Sequence, residues 1–230
     1  MPRLNRIHIP GIAHHVTQRG NQQDQVFFQP DDYSLYLTLL RRHASRQGVA
    51  IAAYCLMPNH VHFIATPSSG SSLSHFMQRL QGDYSRWINI KLDRGGHTWQ
   101  SRYYSAALDE PHFWAAMAYV EQNPRRAGLV ETAAHWTWSS ARAHLAECDE
   151  NWLDFAIWRT RASPAFWQSA FDRGLHDAAL LQRIRESTHR GRPLGDDAFT
   201  AYVARELNID LRPRPTGRPR KVTDSTAAAA

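Results

Sequence analysis

From Ile12 to Arg19, β-branched residues alternate with polar ones until Gly20-Asn21, which predicts a strand closed by a turn. From Pro30 the period changes: Tyr33, Leu37, Leu40 and Ala44 recur at helical spacing with charge on the opposite side, and Gly48 supplies a stop. Val49 to Leu56 reads as a buried strand and Val61 to Thr66 as a second, with Pro58-Asn59 between them as the turn of a hairpin. The longest apolar stripe follows. Leu73, Phe76, Met77, Leu80, Tyr84, Trp87 and Ile88 keep a period of about 3.6 residues, and Gly95-Gly96 ends the helix they predict. Trp99 to Ala107 reads as extended, and Pro111 stands where a first helical turn tolerates proline, ahead of a helix to about Asn123.

The resulting order, β-α-β-β-α-β-α, predicts an α+β fold: an antiparallel sheet of the ferredoxin-like, split βαβ kind with helices on one face. Beyond about Leu145 the pattern shifts to shorter helical pieces at Phe166 to Phe171, Asp177 to Ser187 and Asp196 to Leu207. Three units are expected: a catalytic domain over 1–145, a helical extension over 146–211 and a basic tail over 212–230.

Composition narrows the partners. Lys and Arg number 27 against 21 Asp and Glu, a formal net charge of +6 that suits a polyanion. Arg212, Arg214, Arg218, Arg220 and Lys221 lie together with three prolines and no acid between them, the composition of an extended arm on phosphates or of a solvated tail. No apolar stretch approaches the roughly 18 residues of a membrane span, and the N-terminus lacks the apolar core of a signal peptide, so a cytoplasmic protein is expected, nucleoid-associated through DNA. The two cysteines, Cys55 and Cys148, read as packing residues, which excludes a disulfide framework or a cysteine zinc site.

His60 and His62 flank Val61. Side chains alternate along a strand, so both imidazoles point to one face and can converge on a metal ion, although an isolated His-x-His is more often solvent-facing. Tyr119 and Asn123, one helical turn apart, project from one side of the helix after Pro111, beside a stripe of Phe113, Ala116, Met117 and Val120. Tyr119 is thereby a candidate nucleophile and Asn123 a candidate oxygen ligand, but seven other tyrosines share the plainer reading of an aromatic at a core edge. Arg102, Arg125 and Arg126 flank the site in sequence and are candidate phosphate clamps.

At these residues the chain resembles the REP-associated tyrosine transposases, single-tyrosine members of the HUH class. The likeness rests on GIAHHVTQRGNQQDQVFF from Gly11, YCLMPNHVHFIATP from Tyr54, WQSRYYS from Trp99 and YVEQNPRRAGLV from Tyr119, and extends to RGRPLGDDAF from Arg190 and GRPRK from Gly217. The resemblance implies that His60 and His62 hold a magnesium or manganese ion, that Tyr119 is the nucleophile and that Asn123 is the polar ligand, where related transposases often have glutamine. It further implies cleavage of single-stranded DNA beside REP- or BIME-type palindromic hairpins through a 5′-phosphotyrosine, by a monomer or a dimer. GRPRK resembles an AT-hook for the minor groove of a hairpin stem. Two other readings stay open: a non-catalytic nucleic-acid-binding module of the same fold, and a metal hydrolase that uses water.

Overall fold

The structure, a computed structural model, describes residues 6–145, 150–156, 158 and 164–211. Four strands, β1 (His14–Arg19), β2 (Val49–Met57), β3 (His60–Pro67) and β4 (Tyr104–Ala107), form one antiparallel sheet in the order β2-β3-β1-β4. Helices α1 (Pro30–Arg46) and α2 (Ser72–Lys91) connect them as the sequence pattern requires. The order β-α-β-β-α-β is that of a split βαβ sheet, as expected.

Alternation along β3 divides the molecule into two cores. Val61, Phe63 and Ala65 face α1 and α2, whose buried stripes are Tyr33, Tyr36, Leu39, Leu40 and Ala44, and Leu73, Phe76, Met77, Leu80, Tyr84 and Ile88. Leu37 lies at the margin of its stripe, with Tyr36 and Leu39 taking the inner positions. The buried Asp32 accepts the backbone N–H of Phe28 and Gln29 and pairs with Lys91, tying the start of α1 to the end of α2. On β2 an irregularity between Ile51 and Ala53 admits one extra residue, so Ile51 and Tyr54 reach this core while Ala52, Ala53 and Cys55 reach the other.

The expectation of helices on one face holds for α1 and α2 and needs correction for the rest. Helix α3 (Glu110–Glu121) packs on the opposite face, where Ile64 of β3 with Ala53 and Cys55 of β2 offers a second apolar surface. The helices that follow join that core: α4 (Asn123–Arg126), α5 (Ala141–His144), α6 (Pro164–His176) and α7 (Ala178–Arg190). Trp167, Phe171, Leu181 and Ile184 pack with Phe113, Trp114 and Met117, so the segment after residue 145 shares the core of the sheet. Helix α8 (Asp197–Leu207) seats Val203 against Ile7, Ile9 and Ala107, and Leu194 pairs with Leu108 beyond the end of β4. Among the described residues no helix is long and apolar enough to cross a membrane.

Two element boundaries differ from the sequence pattern. Only residues 104–107 of the extended stretch from Trp99 form a strand; Trp99 makes an isolated bridge to Gly20, and the Gln18 side-chain amide donates to the Ser101 carbonyl at 2.7 Å, holding the intervening segment as a loop. The helix after Pro111 ends at Glu121, and Asn123 opens a separate short turn, because Pro124 has no N–H to continue the ladder.

Glu121 is fully buried at the end of α3 and takes hydrogen bonds from the Ser140 hydroxyl and His144 Nδ1, while Ser140 also bonds the backbone of Tyr54. This network fixes the C-terminal end of the Tyr119 helix against β2. Glu121→Ala leaves those partners buried and is expected to cost about 3–5 kcal/mol, read as a lower urea midpoint with an unchanged slope.

Candidate active site

Strand β1 supplies the first wall. Its register sets Thr17 opposite His62 and Arg19 opposite His60, with His15 one step further on the same face. These five residues, with Gln100, Tyr104, Tyr119, Arg185, Thr188 and His189, line a cleft of about 380 Å³. His14, on the other face of β1, bonds the Ile12 carbonyl instead.

The two histidines of β3 are held by their neighbours. His60 Nδ1 lies 2.6 Å from Asn59 Oδ1, and the Asn59 amide nitrogen donates to the Gln23 carbonyl at 3.0 Å, which fixes the amide oxygen toward His60. His62 Nδ1 lies 2.9 Å from His15 Nε2, with the two rings stacked at 5.1 Å. Burial, with the nearby Arg19, pushes His60 down to about 4. Burial, then His189 and Arg126, pushes His15 down to about 3. Burial, followed by the charges of His60 and His15, holds His62 well below the usual imidazole range. All three rings are therefore neutral at physiological pH, the form that offers a lone pair to a metal.

These shifts have a measurable consequence for the metal-free protein. His8 and His14 are likewise lowered by burial, to about 4 and about 3. Below the ordinary value of about 6.5 the unfolded chain binds protons that the folded chain refuses, so stability falls as pH drops toward 4. Each such histidine is worth up to about 2 kcal/mol between pH 7.5 and 5, so a fall of at least several kcal/mol is expected in urea titrations.

Tyr119 projects from α3 over this pair. Its ring meets His15 and His62 edge-on, with centroids 5.5 and 5.7 Å apart, and its hydroxyl lies 3.5 Å from Arg185 Nε of α7. The Arg126 guanidinium sits 4.3 Å over the tyrosine ring and donates to the Tyr119 carbonyl at 2.6 Å. Burial lowers Arg126 to about 10, so it stays charged at neutral pH. The structure thus brings together His60, His62 and Tyr119. It places Arg126 against the face of the tyrosine ring as a support rather than out on a phosphate path.

The other sequence candidates lie elsewhere. Asn123 is not among the cleft-lining residues, and its Nδ2 is buried without a hydrogen-bond partner. Arg125 is exposed, and Arg102 borders a separate cavity with Arg6, Gln18, Gln81 and Tyr103. Arg214, Arg218, Arg220 and Lys221 fall outside the described residues, as does Cys148, whereas Cys55 is buried as expected. Arg185, Thr188 and His189 escaped sequence reasoning because they sit on a helix read only as part of an extension, where a polar residue has no local signal of facing a site.

Among the described residues no group of three His, Cys, Asp or Glu converges to hold a metal ion. The pair of neutral histidines nevertheless fits a divalent ion as two nitrogen donors, with its remaining positions left to oxygen ligands.

The match to a family model over the sheet and the helix that bears Tyr119 places the chain among the DNA transposases. More particularly, the chain belongs to the IS200-like transposase family, whose model matches residues 9–123. A solved structure described as the REP-associated tyrosine transposase bound to a REP hairpin is similar in fold, with a TM-score of 0.55 and 19% identity over 68% of this chain and 96% of that chain. A crystal structure from Deinococcus radiodurans R1, assigned as a transposase, has 20% identity and a TM-score of only 0.37 over 53% of this chain and 97% of that one. No curated protein matches.

Proposed function

We propose that this transposase is a metal-dependent single-strand DNA endonuclease and strand transferase that acts beside REP-type palindromic hairpins, with Tyr119 as nucleophile. The observation that carries the reading is Tyr119 set edge-on to His62 in a cleft that His60 also lines. The phenol oxygen attacks the scissile phosphorus, the bond to the 3′-oxygen breaks, and that oxygen takes up a proton while the 5′-phosphate stays on the tyrosine. Because the phosphoryl group is kept in a covalent bond, a 3′-hydroxyl can attack it in return and rejoin strands. Arg185 and Arg19 stand in the cleft as cations for the phosphate, and Arg126 holds the tyrosine ring from behind.

A magnesium or manganese ion on His60 and His62 supplies Lewis acidity at a phosphate oxygen when bound. Asn123 is retained as its oxygen ligand only on the family resemblance, since its side chain has to turn toward the cleft. The hairpin preference rests on the matching motifs and on the fold relative bound to a REP hairpin; DNA is the partner, and the basic tail over 212–221 is the proposed grip on the stem.

Incubation with a hairpin oligonucleotide carrying a single-stranded flank, in Mn²⁺, tests the reading by denaturing gel. A covalent protein–DNA adduct is expected. Cleavage without an adduct means a water-using hydrolase, and binding without cleavage means a non-catalytic module. Truncation after Leu211, which spares α8 and its core contacts, is expected to weaken hairpin binding and reduce its salt dependence; unchanged binding removes the tail from the interface.

A further inference from the structure

Helix α7 reaches the histidine pair through a complete chain of hydrogen bonds. Thr188 Oγ1 lies 2.7 Å from the Ile184 carbonyl, one turn back in the helix, and a carbonyl can only accept, so the hydroxyl proton is committed there. The same Oγ1 lies 2.8 Å from His15 Nδ1 and so accepts that ring's N–H. His15, neutral and buried, is left with a lone pair on Nε2, which lies 2.9 Å from His62 Nδ1. His62 must therefore carry its proton on Nδ1. Its Nε2 keeps the lone pair. Asn59 imposes the same tautomer on His60 through its amide oxygen.

We propose that Thr188 is a positioning residue that acts through His15 to hold His62 as the Nδ1–H tautomer, so that the C-terminal helix prepares a ligand nitrogen on β3. The arrangement belongs to the second layer of a metal site, where a partner on one ring nitrogen decides what the other can do. Thr188 and His15 are each 1% exposed, so water does not compete for these bonds. The hydroxyl is held near the end of α7, where Gly191 in the left-handed region at φ 64° closes the helix and Leu194 then pairs with the end of β4. Removal of the hydroxyl leaves His15 Nδ1–H without an acceptor. The favoured response is a reversal of the chain: His15 protonates on Nε2, donates to His62 Nδ1, and moves the His62 proton to Nε2, where it blocks a ligand.

The inference rests on the reading of His62 as a metal ligand, and its test separates the two. Long-range ¹H–¹⁵N correlation spectra of the metal-free full-length protein at pH 7.5 report histidine tautomers, with His62 assigned by the signal lost in His62→Gln. Thr188→Val keeps the side-chain shape without the hydroxyl, and Thr188→Ser restores the hydroxyl. Wild type and Thr188→Ser are expected to show His62 as Nδ1–H, and Thr188→Val as Nε2–H with Mn²⁺ bound about 10- to 100-fold more weakly by electron paramagnetic resonance titration. An Nε2–H signal for His62 in wild type, or a tautomer unchanged in Thr188→Val whether or not Mn²⁺ affinity falls, overturns the relay. If the tautomers switch as expected while Mn²⁺ binds neither protein, the relay stands and the metal reading of the cleft fails.

Discussion

Tyr119→Phe is expected to abolish the covalent protein–DNA adduct and to lower strand cleavage by at least about 10³-fold, some 4 kcal/mol of barrier. The substitution isolates the hydroxyl. The ring keeps its edge-on contacts with His15 and His62 and its place under the Arg126 guanidinium, so the fold loses only a 3.5 Å contact from Arg185. Thermal unfolding within a degree or two of wild type is the accompanying control. An adduct that survives moves the nucleophile elsewhere, and among the described residues Tyr104 is the other tyrosine that lines the cleft.

The second large effect is expected at His62. His62→Ala removes a proposed ligand and also leaves His15 Nε2 without its donor in a buried position. Metal-stimulated cleavage should fall by about 10²- to 10³-fold, with a stability cost of about 1–3 kcal/mol for the orphaned group. His60→Ala should match the loss of cleavage but cost less stability, since His60 is only partly buried and its partner Asn59 sits in the hairpin turn. Cleavage rates against Mn²⁺ concentration distinguish the two losses. Wild-type cleavage by either variant removes the metal from the proposed mechanism.

Much of the sheet was legible because a strand writes its geometry locally. The hairpin over 49–67 needed only two apolar runs and a Pro-Asn turn, and α2 only an uninterrupted stripe. Where side-chain bonding or a missing N–H overrode the pattern, reading by period failed. Trp99 to Tyr103 has the composition of a strand, yet Gln18 holds the Ser101 carbonyl and the segment loops. Asn123 has the spacing to share a face with Tyr119, yet α3 ends before it and Asn123 is not among the residues that line the cleft. The one-sided placement of helices failed for a related reason: the second face of the sheet is also covered, through Ile64 of β3 and Ala53 and Cys55 of β2, and periodicity does not say by which helix.

Period-two alternation determined by itself that His60 and His62 share a face and that His15, Thr17 and Arg19 share another, because side-chain direction in a strand is a property of the local backbone. Motif likeness singled out Tyr119 from eight tyrosines. That those two faces are one wall, that α3 crosses it with Tyr119 inward, that Arg126 turns back onto the tyrosine, and that Thr188 reaches His15 across 173 residues were decided only by tertiary packing. Contacts between distant segments depend on how helix faces seat against the sheet and on where buried polar groups find partners, and no local period encodes either.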